Sequence, residues 1–262
     1  MPRKRSPIHA PPPIPIHPFD RLHGTDTGGL LPKASILTGH PSDAHLTAYY
    51  GVAPSILDGL IELWLTARPP LPIDQYTFLD IGAGKGRALL TASLHPFARV
   101  TGIELNPSLA AIARRNLALF AASSSSSPLS PVDLLEGDAL EASLPTGPTL
   151  AFMFHPFEAP LLHRFLARIT QAYASQPGRF DLLYVNAEHI AILDRNPAFE
   201  RIFYGSVPMS AADHLADLAE IAGQQEYGST GDEICAIFRF TGQKRKRSVQ
   251  GQLPETTLHH SL

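Results

Sequence analysis

Short apolar runs alternate along most of the chain with segments whose apolar residues recur at helical spacing. The runs predict seven strands, at residues 76–81, 100–104, 134–136, 148–154, 180–185, 201–204 and 234–240. Helical spacing predicts helices at 55–65, 88–92, 107–120, 161–169 and 211–221. Strands that alternate with helices in this way favour a parallel sheet with right-handed crossovers.

Composition divides the chain into four stretches. We expect residues 1–18 to be a disordered, Pro-rich basic arm, and residues 243–262 to be a disordered polar tail. Residues 19–75 form an N-terminal extension whose helix, capped by Ser55 with Asp58 as its partner, packs on the core. Residues 76–242 form the main α/β domain, interrupted at 121–131 by a serine-rich insertion that we expect to be flexible.

A glycine-rich turn follows the first predicted strand, with Gly82, Gly84 and Gly86 at alternate positions. The dinucleotide fingerprint would need its third glycine at position 87, where the chain has Arg87. A phosphate-binding P-loop would need Ser or Thr at position 86. Asp80, two residues before the turn, would repel a pyrophosphate and attract a cofactor that carries an ammonium and a sulfonium.

The segment from Leu79 to Arg87 resembles the first motif of class I S-adenosylmethionine (SAM)-dependent methyltransferases, including uncharacterised bacterial members. The resemblance implies a Rossmann-like, seven-stranded, mostly parallel sheet with helices on both faces, a reversed last strand and the strand order 3-2-1-4-5-7-6. It also implies SAM as the cofactor. The N-terminal helical extension precedes this fold.

The cofactor site follows from the turn and from acids at two further strand ends. The spacing of Glu104 suits a carboxylate that binds both ribose hydroxyls. By resemblance to the family, Asp138 accepts a hydrogen bond from the adenine amino group. The full set of expected cofactor-binding residues is Asp80, Gly82, Ala83, Gly84, Gly86, Glu104, Leu105, Asp138, Ala139 and His155.

The fourth strand ends at His155-Pro156-Phe157-Glu158, where base and glutamine methyltransferases carry an Asn- or Asp-Pro-Pro-aromatic motif. The departure argues against a typical adenine-N6 or glutamine enzyme. We expect His155 to act as a proton acceptor, with Glu158 as a weaker candidate base and Tyr50 as a lid over the site. A hydrogen-bonded turn residue is the alternative role for His155.

Tyr184, Asn186 and His189, after the fifth strand, are further candidates for lining the acceptor pocket. Tyr49, beside Tyr50, either covers the cofactor or anchors the start of the helix. The segment at 19–31 resembles an N-terminal segment of uncharacterised bacterial methyltransferases, and a plain surface turn is its alternative.

The sequence therefore predicts a SAM-dependent methyltransferase whose acceptor, a protein side chain or a small molecule, is unidentified. A non-catalytic SAM-binding module that acts through protein contacts is the alternative, and Asp80 and Arg87 disfavour a nicotinamide-dependent oxidoreductase. A net charge of −3 gives no bias toward nucleic acid or membrane, so we expect neither as a partner. One cysteine, scattered histidines and no long apolar run predict a cytoplasmic protein without a metal site.

Overall fold

A single sheet of seven strands forms the centre of the molecule. The computed structural model describes residues 16–123, 130–222, 224 and 228–242. The strands are β1 (Thr77–Ile81), β2 (Arg99–Glu104), β3 (Val132–Glu136), β4 (Thr149–Phe154), β5 (Phe180–Val185), β6 (Phe199–Pro208) and β7 (Asp232–Phe240). The α-helices are α1 (Pro18–His23), α2 (Pro54–Thr66), α3 (Arg87–Ser93), α4 (Pro107–Ser123), α5 (Ala159–Ala172), α6 (Ile190–Arg195) and α7 (Ala211–Ile221). Short 3₁₀ helices lie at Lys33–Ser35, Pro41–His45 and Ile73–Gln75.

The strand order is β3-β2-β1-β4-β5-β7-β6. Strands β1 to β5 pair in parallel, and β7 runs antiparallel to both β5 and β6. This arrangement confirms the predicted Rossmann-like fold with its reversed last strand. The carboxyl ends of β1, β2, β3, β4 and β5 meet at one edge, where this class of sheet binds its ligands.

Two hydrophobic cores cover the two faces of the sheet. Side chains alternate along β1, so that Phe78 packs in the core with α2 and α3, and Leu79 packs in the core with α5 and α6. Trp64 of α2 is fully buried in the first core and donates from its indole N–H to the Asp181 carboxylate at 2.7 Å. Trp64 is therefore a core residue, as the helical spacing predicts.

The start of α2 differs from the prediction. The helix begins at Pro54, and no side chain caps it at position 53. Instead of capping the helix, Ser55 donates its backbone N–H to the Asp213 carboxylate at 2.9 Å, and its hydroxyl accepts from Ser210 N. Asp58, the expected capping partner, pairs with His95 at 2.8 Å. Tertiary contacts with α7 thus replace the local cap.

The N-terminal extension is folded around one buried carboxylate. Asp20 of α1 accepts hydrogen bonds from the hydroxyls of Thr25 and Thr27 at 2.7 Å each, and from the backbone of Thr27 and Gly28 at 2.9 and 2.8 Å. Burial opposes ionisation, but these bonds hold the pKa of Asp20 below its usual value. An ionised Asp20 therefore fixes the turn that leads from α1 toward the glycine-rich loop.

The folded part of the chain begins closer to the N-terminus than composition predicts. His17 is buried, its ring nitrogen Nδ1 accepts from Phe19 N at 3.1 Å, and α1 starts at Pro18. The last residue of the predicted arm, Pro18, is therefore the first residue of α1. Residues 1–15, the serine-rich stretch 124–129 and the tail 243–262 lie outside the described residues. Within the described part of the chain, no helix is long and apolar enough to cross a membrane.

Candidate functional site

The glycine-rich loop turns directly from β1 into α3. Gly82, Gly84 and Gly86 all have positive φ, at 77°, 56° and 90°. A Cβ at Gly84 would collide with the ring of Tyr49, which lies across the loop. Position 84 thus needs glycine both for its backbone conformation and for the close approach of Tyr49.

Glu104 ends β2 and faces the loop. Its Oε2 accepts from Gly84 N at 2.6 Å and its Oε1 accepts from Asn106 N at 2.7 Å. Burial raises the pKa of Glu104, and the bonds from these N–H groups act in the opposite direction. A carboxylate held between two backbone N–H groups is well placed to accept hydroxyl hydrogens as well.

Asp80 lies near the carboxyl end of β1, beside Glu104 at the end of β2. It is 3% exposed, and none of the described residues donates a hydrogen bond to its carboxyl group. Burial, and then the nearby Glu104, raise the pKa of Asp80 to about 8. A buried acid without a partner is costly when ionised, so the site favours a cationic group beside it.

Asp138 follows β3 and closes the far end of the same cleft. Its Oδ1 accepts from Leu140 N at 2.7 Å, and its Oδ2 accepts from the Ser42 hydroxyl at 3.2 Å. Ser42 belongs to the N-terminal extension, and nothing in the sequence pattern indicates that it reaches this acid. The extension therefore contributes directly to the cleft.

These residues share one cleft at the carboxyl edge of the sheet. Six of the expected cofactor-binding residues line it: Gly82, Gly84, Glu104, Leu105, Asp138 and Ala139. Asp80 and Ala83 line a small adjoining space that borders Tyr50 and Phe154. Gly86 does not line the cleft. It lies at the start of α3, where a Cβ would press on Ala113 of α4.

The loop side chains Lys85 and Arg87 bind the N-terminal extension. Lys85 Nζ is 3.0 Å from Asp26 Oδ1 and donates to Gly28 O at 2.7 Å. Arg87 donates to the Thr27 hydroxyl at 2.9 Å and to Gly51 O at 3.1 Å. Arg87, which stands where the dinucleotide fingerprint would have glycine, thus binds the N-terminal extension to the loop. The sequence alone did not reveal this role.

A second cavity, of about 460 Å³, adjoins the cleft. Thr47, Ala48, Tyr50 and Phe154 line both spaces, so the two meet at these residues. The volume lies within the ~300–1,000 Å³ that is usual for small-molecule sites. His155, Glu158, Asn186 and His189, four of the residues expected on the acceptor side, line the second cavity. His155, expected among the cofactor-binding residues, therefore lines the second cavity and not the cleft.

Two strained residues flank this cavity. His155 directly follows β4 with φ 42°, and Asn186 directly follows β5 with φ 48°. Left-handed conformations outside glycine cost roughly 1–3 kcal/mol and are concentrated at functional sites. Both residues follow neighbouring parallel strands, so they lie at the same edge of the sheet.

His155 has partners on both ring nitrogens. Its Nδ1 lies 3.1 Å from the Tyr184 hydroxyl, and its Nε2 lies 3.4 Å from Glu188 Oε2. Burial lowers the pKa of His155, although Glu188 opposes the effect. The imidazole is therefore mainly neutral at neutral pH and able to accept a proton.

Glu158 has a different environment from the one expected of a base. Its carboxylate is half exposed and contacts His45 Nδ1 at 3.0 Å, and its backbone N–H donates to His45 O at 2.9 Å. The hydrogen bond from His45 holds the pKa of Glu158 below its usual value. A low pKa makes a weak proton acceptor, and these contacts fasten the N-terminal extension to the end of β4.

Tyr50 stands between the two spaces. Its hydroxyl donates to Asp217 Oδ1 at 2.7 Å, and burial, followed by this bond, raises its pKa. The ring packs edge-on against Phe154 at 6.4 Å. Tyr50 is therefore protonated and anchored from α7 at the boundary between the two spaces.

The strand order and the reversed seventh strand define the class of fold: this chain has the class I SAM-dependent methyltransferase fold. No protein-family model matches the chain, and no curated protein sequence matches it.

Solved structures of similar shape exist. A Thermoplasma acidophilum protein, 1320, is 16% identical, with 84% of this chain and 93% of that chain covered and a TM-score of 0.48. An RNA methyltransferase from Salinibacter ruber, in complex with S-adenosyl-L-homocysteine, is 18% identical, with 79% of this chain and 97% of that chain covered and a TM-score of 0.43. Magnesium protoporphyrin IX methyltransferase from Synechocystis PCC 6803, with bound SAM, is 14% identical, with 72% of this chain and 79% of that chain covered and a TM-score of 0.46.

Proposed function

We propose that this chain is a SAM-dependent methyltransferase. The observation that carries the proposal is the convergence of the glycine-rich loop, Glu104 and Asp138 on one cleft, with the partnerless acid Asp80 beside it. A second cavity meets that cleft at shared residues, as transfer between a cofactor and an acceptor requires.

The residues present fit SAM group by group. Glu104 would accept from the two ribose hydroxyls, and Asp138 from the adenine amino group. Asp80, buried and without a partner among the described residues, would meet the cofactor's ammonium group. The side chains of Pro156 and Tyr49 pack where a Cβ would stand at Gly82 and Gly84, so that Tyr49 covers the loop.

When bound, SAM supplies a methyl group that is already activated by the positive sulfur. The protein's part is to align the acceptor with that group, which is worth up to ~7–11 kcal/mol in well-oriented systems. Tyr50 and Phe154 define the boundary across which the two ligands meet. The N-terminal extension, which Lys85 and Arg87 fasten to the loop, would shield the two ligands from water.

His155 would take the acceptor's proton. In the tautomer whose Nδ1–H donates to the Tyr184 hydroxyl, Nε2 would carry the free electron pair. Protonation at Nε2 gives an imidazolium that Glu188 stabilises from 3.4 Å. General bases of this kind typically contribute 10²–10⁴-fold to the rate.

Calorimetry with SAM, S-adenosylhomocysteine and NAD tests the proposal. We expect the two sulfur compounds to bind and NAD not to bind. Glu104→Gln should weaken binding about tenfold or more, because an amide replaces the acceptor of charged bonds. Glu136→Gln is the matched control, since Glu136 is the register partner of Glu104 on β3 but is exposed.

NAD binding without a SAM signal would contradict the proposal, as would equal effects of the two substitutions. Binding of SAM with no methyl transfer to any acceptor would favour a non-catalytic module instead.

A further inference from the structure

We propose that the second cavity binds an alkylammonium group, so that the methyl acceptor is an aliphatic primary amine. The proposal rests on the proposed function, because it assigns a substrate class to the acceptor side of that site.

The charge of the cavity lining is one-sided. Four carboxylates line it, and the described lining residues include neither Lys nor Arg: the four are Glu158, Glu188, Asp217 and Glu233. Two of the four contact a histidine, since His45 contacts Glu158 and His155 faces Glu188. The other two, Asp217 and Glu233, form no ion pair with any of the described residues.

Asp217 raises the cost of ionising Glu233. Asp217 is 2% exposed and accepts from the Tyr50 hydroxyl and, at 3.3 Å, from the Ser229 hydroxyl. No side chain among the described residues donates a hydrogen bond to Glu233. Burial, then Asp217 and Asp232, raise the pKa of Glu233 to about 7. A cation bound between two such carboxylates would relieve both the repulsion and the loss of hydration.

Arg87 does not neutralise this pair fully. Its positive charge lowers the pKa of Asp217, but burial outweighs it and that pKa remains raised. The guanidinium is committed to Thr27, Gly51 and Glu220. The negative potential of the cavity is therefore left for a ligand.

Aromatic rings complete an environment suited to an ammonium. Tyr50 and Phe154 line the cavity where it meets the cofactor cleft, with their ring centroids 6.4 Å apart and the ring planes at 64° to each other. Ring faces attract cations, and the attraction is stronger when the cation is desolvated. An amine held by Asp217 and Glu233 would thus have its nitrogen beside the rings that separate the two ligands.

The chemistry of the transfer balances with these groups. The ammonium first gives one proton to His155 Nε2, which leaves a free electron pair on the nitrogen. That pair forms the new C–N bond while the C–S bond breaks and its electrons stay on the sulfur. The products are S-adenosylhomocysteine and a secondary ammonium ion, and His155 returns its proton to solvent.

The experiment measures binding to the full chain, saturated with S-adenosylhomocysteine, by calorimetry at fixed ionic strength. The probes are cadaverine, its neutral isostere 1,5-pentanediol, and the peptide acetyl-Gly-Lys-Gly-amide. We expect at least one amine probe to bind tenfold or more tightly than the diol and to be methylated when SAM replaces S-adenosylhomocysteine. Cadaverine alone would identify a free amine, and the peptide alone a lysine side chain.

Glu233→Gln should weaken binding of the amine at least tenfold and leave S-adenosylhomocysteine binding unchanged. Asp217→Asn should act in the same direction, and Glu233→Gln remains decisive if that buried substitution unfolds the protein. Glu62→Gln is the control, because it removes the same charge from an exposed position on α2.

Equal binding of amine and diol, or an equal loss in Glu62→Gln, would overturn the inference while leaving the proposed function standing. Failure of the wild-type chain to bind S-adenosylhomocysteine would overturn both.

Discussion

Arg87 and Glu220 form an ion pair that is almost completely buried, with Nη2 and Oε1 3.3 Å apart and both side chains 1% exposed. The pair joins the start of α3, directly after the glycine-rich loop, to the end of α7. Arg87 also holds the backbone at Gly51, one residue after Tyr50. The position of Tyr50 beside the cleft thus depends in part on the charged side chain of Arg87.

Breaking this pair on one side should destabilise the protein strongly. Arg87→Met leaves the Glu220 carboxylate buried without its cation, and breaking a buried pair in this way costs about 3–5 kcal/mol. The free energy of unfolding, measured in urea, checks the value. Arg99→Ala breaks the exposed pair with Asp133 and should cost at most about 1 kcal/mol. Equal losses in the two variants would show that the buried charge is not the cause.

Asp80 should make the stability of the ligand-free protein fall as the pH rises. Its folded-state pKa of about 8 lies above the unfolded value of 3.8, so its protonated form favours folding. That contribution is complete below about pH 4 and is lost between pH 4 and 8. Asp80→Asn should therefore gain stability relative to wild type on going from pH 5 to pH 8, by more than about 1.4 kcal/mol, the value of one pKa unit.

Thermal unfolding at the two pH values measures the difference. The same variant should bind SAM more weakly, because the amide cannot neutralise an ammonium. A pH-independent difference between the two proteins would mean that Asp80 is ionised throughout.

Glu104→Ala should weaken SAM binding more than Asp138→Ala. Glu104 is expected to serve two hydroxyls, and losing one to two charged bonds corresponds to roughly 2–3 kcal/mol. Asp138 is expected to accept only one hydrogen bond from the cofactor, that of the adenine amino group. Calorimetric dissociation constants decide the order, and near-wild-type affinity in both variants would place the cofactor acids elsewhere.

His155→Ala should lower kcat and leave SAM affinity unchanged, because His155 lines the second cavity and not the cofactor cleft. The loss should be about 10²-fold or more if the ring is the general base. Since burial lowers the pKa of His155, wild-type kcat should fall only below about pH 6.5, as the ring becomes protonated. This acidic limb should disappear in the variant.

Labelled SAM and an accepted amine, or an acceptor found in a lysate, provide the measurement. Glu158→Gln is the comparison, and it should keep the acidic limb because its carboxylate is bound to His45. Full activity in His155→Ala would assign that residue to the turn and direct attention to Glu158, Tyr184 and Asn186.

Truncation should separate the arm from the folded chain at residue 15. Removing residues 1–15 and 243–262 should leave the melting temperature within about 2 °C. Removal through Pro18 should lower it by several degrees, because it also takes away the buried His17 and the first turn of α1. Melting curves of the two shortened chains test this boundary. A large loss on removing 1–15 would show that part of the arm packs on the domain.

The sequence by itself determined the sheet and the positions of its acids. Apolar runs placed β1, β2, β4 and β5 within a residue or two, since buried parallel strands have few polar positions. Asn106, a residue type favoured at this position, caps α4: its side chain accepts from Ser108 N and Leu109 N. Such local signals depend on neighbours in the chain, and for that reason they can be recognised without a fold.

Only the tertiary structure decided what the polar residues between these elements do. Arg87, Lys85 and Ser42 find partners 20 or more residues away along the chain, and Ser55 gives its backbone N–H to an acid on α7. Periodicity carries no information about such pairs, because a solvent-exposed loop and a loop that forms buried hydrogen bonds have the same composition. The separation of the cofactor cleft from the acid-lined cavity likewise exists only once β4, β5, α7 and the N-terminal extension meet at one edge of the sheet.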